Sequence, residues 1–193
     1  MLILASQSQT RKALLTQAGL RFEAVPALLD ERLVEREAEG DGQGVATLLA
    51  QRKALAVSRL RPEAWVIGAD QTLMLDEELF YKPDDMAAAR GQLDRLAGKT
   101  HQLHAAVSLA RGDCIVWSTL ETAELTMRAF TATERESILM REGEALLGSV
   151  GAYRLEGPSI QLFEQVRGDY FTILGLPLLP LLAALRRLAP ELL

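Results

Sequence analysis

Cysteine, histidine and aromatic residues are scarce in this sequence of 193 residues. Cys114 is the single cysteine, His101 and His104 are the two histidines, and aromatic residues make up 5%. A single cysteine excludes an internal disulfide and a cysteine-rich metal site, which fits a reducing compartment such as the cytoplasm. The histidines are three positions apart. On a strand that odd separation sends their side chains to opposite faces, so we expect structural roles and no shared metal ion.

The sequence also lacks a long apolar run and an excess of positive charge. No stretch approaches the roughly 20 apolar residues that span a bilayer, so we predict no membrane span. No basic region precedes the first apolar residues, and we predict no signal peptide. The net charge of -5 argues against a general nucleic-acid binder, which needs a basic face. Hydrophobic residues make up 49%, enough for one substantial core.

Strand and helix patterns alternate along the chain without a separating linker. Thr133 and Glu136 have the spacing of a capping box, which predicts that a helix starts there. The acidic stretch 30–44 predicts a loop or a short solvated helix. The predicted strands lie at 2–4, 21–25, 65–69, 100–109 and 114–130, and the predicted helices at 10–18, 45–60, 83–97, from about 133, and in the apolar stretch after 175. This interleaving predicts an α/β fold with a curved mixed sheet and helices on both sides.

The first turn of the chain carries more polar groups than a simple connection needs. The segment LILASQSQTRKALL places Ser6, Ser8, Arg11 and Lys12 between a predicted strand and a predicted helix. A helix N-terminus offers free N–H groups to an anion, and the hydroxyls and the planar guanidinium suit phosphate oxygens. The alternative is that Ser8 only caps the helix and Arg11 is a solvated side chain.

Four further charged residues are candidates for the same chemistry. Asp70 follows an apolar run, and ligands in open α/β sheets gather beyond the carboxyl ends of strands. A carboxylate there holds a divalent cation or accepts a proton from water, unless Asp70 merely caps a turn. Lys53 and Lys82 are candidate phosphate cations, although a single lysine is usually a surface charge. Glu31, in the Asp-Glu pair at 30–31, is in the same way most often solvated.

These segments together resemble a known family. The chain contains LILASQSQTRKALLTQAGLRFE, a DE pair, LAQRKA, GADQT, a Lys-Pro, GKTH, VGAY and GDYFTILGLPL, in that order. Their order and spacing resemble those of the Maf-like nucleoside triphosphate pyrophosphatases over nearly the whole chain. The resemblance implies a single domain of residues 1–193, with two lobes around a central cleft as in inosine triphosphatase.

The resemblance also implies an activity and its site. Members of this family hydrolyse a nucleoside triphosphate between the α and β phosphates, with a divalent cation such as Mg²⁺ or Mn²⁺. By position, Asp70 matches the proposed proton acceptor, and Glu31 matches a carboxylate that helps to hold metal or water. The matches to the phosphate-binding residues are Ser6, Ser8, Arg11, Lys53 and Lys82. We therefore expect a cytoplasmic homodimer that acts on a nucleotide substrate. We expect no nucleic-acid or membrane partner.

The preferred base stays open at this point. Gln71 and Glu156 resemble the branch that acts on 7-methyl-GTP, and a carboxylate accepts hydrogen bonds from a guanine edge. That branch has a bulky aromatic at the position of Thr10, which cannot stack on a cationic base. The chain departs from the family pattern at two other places as well. Gln9 stands where the family usually has proline, and residues 148–150 lack a lysine that many members have.

Two other functions compete with hydrolysis. Maf-like proteins have been linked to septum formation, so a nucleotide-binding regulator without turnover is the first alternative. A nucleotidyltransferase is the second, since it would use the same triphosphate grip but need a second acceptor pocket. Asp70 and the paired cations favour hydrolysis.

Overall fold

Parallel and antiparallel strands share one sheet in this protein. A computed structural model describes residues 1–38 and 41–193. Within these residues the strands are β1 (Leu2–Leu4), β2 (Glu23–Ala24), β3 (Trp65–Leu75), β4 (Glu78–Phe80), β5 (Thr100–Arg111), β6 (Cys114–Met127) and β7 (Phe163–Arg167). The sheet order is β2-β1-β3-β5-β6-β7, with β4 paired to β3. β1 is parallel to β2 and β3, whereas β4 and β7 are antiparallel to their partners.

Helices fill the connections between these strands. They are α1 (Gln9–Gln17), α2 (Glu31–Glu37), α3 (Gly42–Ser58), α4 (Met86–Leu96), α5 (Ala132–Glu142), α6 (Tyr170–Ile173) and α7 (Leu178–Leu188), with 3₁₀ turns at Gly143–Gly148, Val150–Ala152, Pro158–Leu162 and Pro190–Leu192. The α/β fold with a mixed sheet and flanking helices is therefore confirmed. No helix in the described part of the chain is long and apolar enough to cross a membrane.

The chain divides into two compact units. Unit 1 comprises Met1–Gln71, His104–Thr122 and Asp169–Leu193, and unit 2 comprises Thr72–Leu103 and Ala123–Gly168. The long strands β3, β5 and β6 contribute residues to both units.

The core of unit 1 has helices on both faces of its strands. Alternate residues of a strand point to opposite faces, so β1 serves two clusters. Leu2 and Leu4 pack with side chains of α1 and α7. Ile3 packs with Val57 of α3 and with Val66 of β3.

The helix pair of unit 2, α4 and α5, is joined by a bidentate ion pair in which Arg90 Nε and Nη2 lie 2.6 and 2.9 Å from the carboxylate oxygens of Glu136.

Several predicted element ends agree with the structure. Ser8 caps α1 by accepting a hydrogen bond from the N–H of Arg11 at 3.3 Å, as predicted. Gly19 follows that helix with φ of 80°, a left-handed conformation that glycine adopts easily. Gly112 turns the chain between β5 and β6 with φ of 58°. The acidic stretch contains α2, and its residues 39 and 40 lie outside the described part of the chain.

Two sequence predictions are wrong in position. The strand at 65–69 does not end before Asp70, because antiparallel pairing with β4 carries β3 on to Leu75. The capping box is formed by Thr131 and Glu134, whose side chain accepts from the N–H of Thr131 at 2.7 Å. The predicted box two residues later is not formed, since Glu136 pairs with Arg90.

The contact between β3 and α3 depends on the absence of a side chain at Gly68. A Cβ at this position would lie 2.1 Å from the carbonyl oxygen of Ala50 and 2.5 Å from the backbone nitrogen of Ala54. Both atoms belong to the backbone of α3, so no side-chain rotation relieves the overlap. Gly68 therefore lets the helix approach the strand beside Asp70.

We expect Gly68→Ala to lower the free energy of unfolding by about 3 kcal/mol, because the added methyl separates two backbones. Gly91→Ala is the matched control, since Gly91 lies exposed within α4 with nothing within 4 Å of its added Cβ. That change should stabilise by about 0.5–1 kcal/mol through helix propensity. Urea denaturation measures both, and equal effects would contradict the proposed close approach.

Candidate active site

The opening turn of unit 1 presents the first N–H groups of α1 among hydroxyl groups. The first intrahelical bond is donated by the N–H of Lys12 to the carbonyl of Ser8 at 3.1 Å, so the N–H groups of Gln9 and Thr10 precede it. Ser6 Oγ accepts from the N–H of Ser8 at 3.2 Å. Free N–H groups, a helix dipole and small polar side chains are the ingredients of an anion site.

Arg11 ties this turn to two other parts of unit 1. Its Nη1 donates to the carbonyl oxygen of Ala69 and its Nε to that of Gly175, both at 2.8 Å. Burial lowers the pKa of the guanidinium, while the carboxylates of Asp70 and Glu31 act to raise it. The sequence-based alternative of a solvated Arg11 is therefore wrong. Arg11 is a half-buried link between α1, β3 and the segment at Gly175.

The ammonium group of Lys53 forms ion pairs with two carboxylates. Its Nζ lies 2.6 Å from Asp70 Oδ1 and 2.8 Å from Glu31 Oε1. Lys53 is 8% exposed and Asp70 is 9% exposed, so this pair is screened from bulk water. Asp70 comes from the middle of β3, Lys53 from α3 and Glu31 from the first turn of α2. The usual surface role of a lysine does not apply to Lys53.

The two carboxylates suit a divalent cation. No group of three or more histidine, cysteine, aspartate or glutamate side chains within residues 1–38 and 41–193 is arranged to hold a metal ion. However, Mg²⁺ commonly takes only one or two carboxylates from the protein and completes its shell with water and phosphate oxygens. Asp70 and Glu31 already hold one cationic group, the Lys53 ammonium, between them. Their donor set therefore fits a hard cation.

Two of the residues linked to base choice, Gln71 and Thr10, belong to unit 1. Gln71 Nε2 donates to the carbonyl oxygens of Thr172 at 3.0 Å and Ile173 at 2.9 Å, at the end of α6. Thr10 lies half-buried in the first turn of α1. The structure thus gives Gln71 internal partners that its sequence position did not indicate.

The other two predicted residues belong to unit 2. Lys82 is exposed in the segment between β4 and α4. Glu156 is also exposed, and Arg154 Nε lies 3.5 Å from its Oε1. Arg154 also approaches the buried carboxylate of Glu142 at 3.6 Å. The roles of Lys82 and Glu156 therefore stay predictions.

The two histidines have partners of their own. His101 Nε2 lies 2.8 Å from the hydroxyl of Tyr153 in unit 2, with the ring of Phe163 also nearby. His104 Nδ1 lies 2.9 Å from Thr122 Oγ1 in unit 1. His101 is 1% exposed, and burial lowers its pKa to about 4. It is therefore a neutral packing residue at pH 7, consistent with the structural role predicted for it.

The sequence did not indicate that Gly175 lies beside Arg11 and Gln71. Gly175, within GDYFTILGLPL, has φ of 86°, and a Cβ there would lie 3.3 Å from Gln71 Oε1 and 3.4 Å from Arg11 Nη2. A glycine after a short apolar stretch is a signal for a left-handed turn. That signal cannot show which side chains meet the turn, because they are distant in sequence.

These residues define an α/β protein with a capped helix N-terminus and a buried Lys53–Asp70 ion pair. The profile of the family described as Maf-like protein matches residues 1–188. The chain belongs to this Maf-like family.

Known relatives are similar over almost their whole length. A Brucella abortus protein named 7-methyl-GTP pyrophosphatase is 52% identical over 96% of this chain and 95% of its own. A Rhodopseudomonas palustris protein named nucleoside triphosphate pyrophosphatase is 48% identical over 96% and 93%. A solved HAM1 protein from Coxiella burnetii has a TM-score of 0.42 and 13% identity, covering 65% of this chain and 72% of that chain.

We expect Lys53→Met to lower the free energy of unfolding by about 3 kcal/mol, because it leaves Asp70 buried without its counter-charge. The double variant Lys53→Met/Asp70→Leu should recover part of this loss, since it removes the unpaired carboxylate as well. Urea denaturation of the wild type, both single variants and the double variant measures the coupling. Strictly additive losses would show that the two groups do not interact.

His101 should make stability depend on pH. Its pKa is about 4 in the folded chain and about 6.5 when unfolded. As pH falls below 6.5 the unfolded chain gains a proton that the folded chain does not, so the folded state loses stability. Relative to His101→Phe, the wild type should lose about 2 kcal/mol between pH 7.5 and pH 5. Parallel curves of unfolding free energy against pH would contradict this assignment.

Proposed function

We propose that this chain is a nucleoside triphosphate pyrophosphatase. It hydrolyses the bond between the α and β phosphates and releases a nucleoside monophosphate and pyrophosphate. The observation that carries the proposal is the convergence of Lys53 on Asp70 and Glu31, next to an α1 turn that Arg11 ties to Ala69. The pyrophosphatase names of relatives at about half identity support the same reaction.

The reaction asks for charge neutralisation, an activated water and an oriented leaving group. Ser6, Ser8 and the first N–H groups of α1 bind phosphate oxygens, together with the free N–H groups of Arg11. Lys53 adds a positive charge. These groups lower the repulsion between the triphosphate and the attacking water.

Asp70 accepts the proton of the water. The water oxygen forms a bond to phosphorus as the bond from that phosphorus to the bridging oxygen breaks, and the electron pair leaves with the departing group. A divalent cation, Mg²⁺ or Mn²⁺, would be held by Asp70 and Glu31 and would neutralise phosphate charge when bound. Lys53 keeps the Asp70 carboxylate in place at 2.6 Å.

The substrate we favour is 7-methyl-GTP. The Brucella abortus relative carries that name, whereas the Rhodopseudomonas palustris relative carries the general one. Glu156 is the candidate base reader, because it is exposed and a carboxylate accepts hydrogen bonds from the N–H groups of guanine. We further propose a cytoplasmic homodimer, in keeping with the single reduced cysteine, Cys114, and with the family resemblance.

Pyrophosphate release from dTTP, UTP, CTP, GTP and 7-methyl-GTP, with Mg²⁺ or Mn²⁺, tests the proposal. We expect turnover, highest with 7-methyl-GTP, and a fall in kcat of at least about 100-fold in Asp70→Asn, which cannot accept the proton. Asp113→Asn is the matched control, because Asp113 is exposed in the turn before β6, where it pairs with Arg59 at 3.3 Å.

Three results would change the assignment. Unchanged turnover in Asp70→Asn would remove Asp70 from the chemistry. Nucleotide binding without pyrophosphate release from any substrate would favour the regulator. Pyrophosphate release that needs an acceptor other than water would favour a nucleotidyltransferase.

A further inference from the structure

The carboxylate of Glu142 is buried at an unfavourable place in unit 2. Glu142 is the last residue of α5, and its side chain is 1% exposed. The C-terminal end of a helix carries a partial negative charge, so an anion there is repelled by the helix itself. Burial adds the cost of removing the charge from water. A carboxylate in this position therefore needs donors and a cation close by.

Residues of the segment 154–159, which we call the RLEGPS segment, supply these partners. Glu142 Oε1 accepts a hydrogen bond from the backbone N–H of Ser159 at 2.9 Å and from its hydroxyl at 2.7 Å. Ser159 is itself fully buried. Arg154 Nη1 lies 3.6 Å from the other carboxylate oxygen, Oε2. The first and the last residue of the segment are thus tied to one carboxylate.

Gly157 lets the RLEGPS segment close around that carboxylate. A Cβ at Gly157 would lie 2.5 Å from Glu142 Oε1 and 2.9 Å from Oε2. The φ of Gly157 is -120°, which any residue adopts, so the missing side chain provides space and not backbone freedom. The N–H of Gly157 donates to the carbonyl of Arg154 at 3.1 Å and turns the segment back on itself. The segment therefore forms a cradle for the Glu142 carboxylate.

The candidate base reader, Glu156, belongs to this cradle. Arg154 Nε lies 3.5 Å from Glu156 Oε1, while Nη1 of the same guanidinium faces Glu142. One arginine thus stands between a buried carboxylate and a second one whose side chain is 29% exposed. The ties to Glu142 hold the backbone on both sides of Glu156 and the cation beside it. They therefore restrict where the Glu156 carboxylate lies.

From this arrangement we infer that Glu142 is a positioning residue, whose carboxylate holds the RLEGPS segment so that Glu156 keeps the place in which it reads the base. The inference rests on the proposed pyrophosphatase activity, with Glu156 as its base reader. Glu142 is itself too deeply buried to touch a base, so it acts through Glu156.

Positioning and plain structural support give different kinetic patterns. Without the cradle, we expect kcat/KM to fall about tenfold for 7-methyl-GTP and to stay within about twofold for UTP, which offers Glu156 no guanine edge. A loss of folded protein lowers the rate by the same factor for both nucleotides. The ratio of kcat/KM between 7-methyl-GTP and UTP is therefore the measurement that separates the two roles.

Three variants disturb the cradle in different ways. Glu142→Ala removes the carboxylate, whereas Glu142→Gln keeps its size and an acceptor for Ser159 but loses the charge that faces Arg154. Gly157→Ala keeps the carboxylate and pushes it away from Ser159. We expect the ratio to fall in all three, least in Glu142→Gln. Glu142→Ala/Gly157→Ala should fall no further than Glu142→Ala, since the group that the added methyl would meet is gone.

Glu136→Gln is the matched control, because it makes the same change on the same helix. Glu136 pairs with Arg90 at 2.6 Å and with Arg135 at 2.9 Å. Its loss should lower stability without changing the ratio. Glu156→Ala is the reference, and adding Glu142→Ala to it should leave the ratio unchanged, because the positioning residue then has nothing to position.

Amide hydrogen exchange of a peptide covering 154–162 gives a readout that needs no activity. The Ser159 N–H is bonded to Glu142, so we expect it to exchange faster in Glu142→Ala than in the wild type or in Glu136→Gln.

An unchanged ratio in Glu142→Ala and Gly157→Ala, or a further fall when Glu142→Ala is added to Glu156→Ala, would overturn the inference. If the wild type releases pyrophosphate from no triphosphate, the proposed function fails, and the role of Glu142 in base choice fails with it. The exchange data still decide about the anchor separately. Unaltered exchange at Ser159 in Glu142→Ala would show that Glu142 does not hold the RLEGPS segment.

Discussion

The buried ion pair between Lys53 and Asp70 is the contact on which the site depends. A carboxylate with so little exposure is costly unless a cation lies beside it, and Lys53 Nζ lies 2.6 Å away. The pair forms where α3 approaches β3 very closely, beside Gly68. One missing side chain in the strand therefore allows the charge arrangement two residues later. Glu31 adds a second carboxylate to the same ammonium.

The opposite face of β3 is held by hydrogen bonds instead of an ion pair. There Arg11 and Gln71 donate hydrogen bonds to the backbone around the end of α6. Both are residue types that often bind ligands. In this structure each of the two side chains donates to two carbonyl oxygens. The strand thus has an ion pair on one face and hydrogen bonds to the end of α6 on the other.

Local signals predicted the elements of the fold well and their exact ends less well. Ser8 and Gly19 mark the ends of α1 because caps act within a few residues. The second half of β3 was missed because it is stabilised by pairing with β4, a contact that composition does not reveal. Thr131 rather than Thr133 caps α5, because Glu136 is used by Arg90 from another helix. Competition between local and distant partners decides such ends.

The sequence by itself determined the alternation of strands and helices, the capped turn before α1 and the family to which the chain belongs. These follow from periodicity, capping chemistry and motif order, which are properties of neighbouring residues. Only the tertiary structure decided that Lys53 is a buried partner of Asp70, and that Gln71 is bound to the end of α6. Those contacts join residues 17 and more than 100 positions apart. Which donors meet which acceptors across such separations is set by the packing of helices on the sheet.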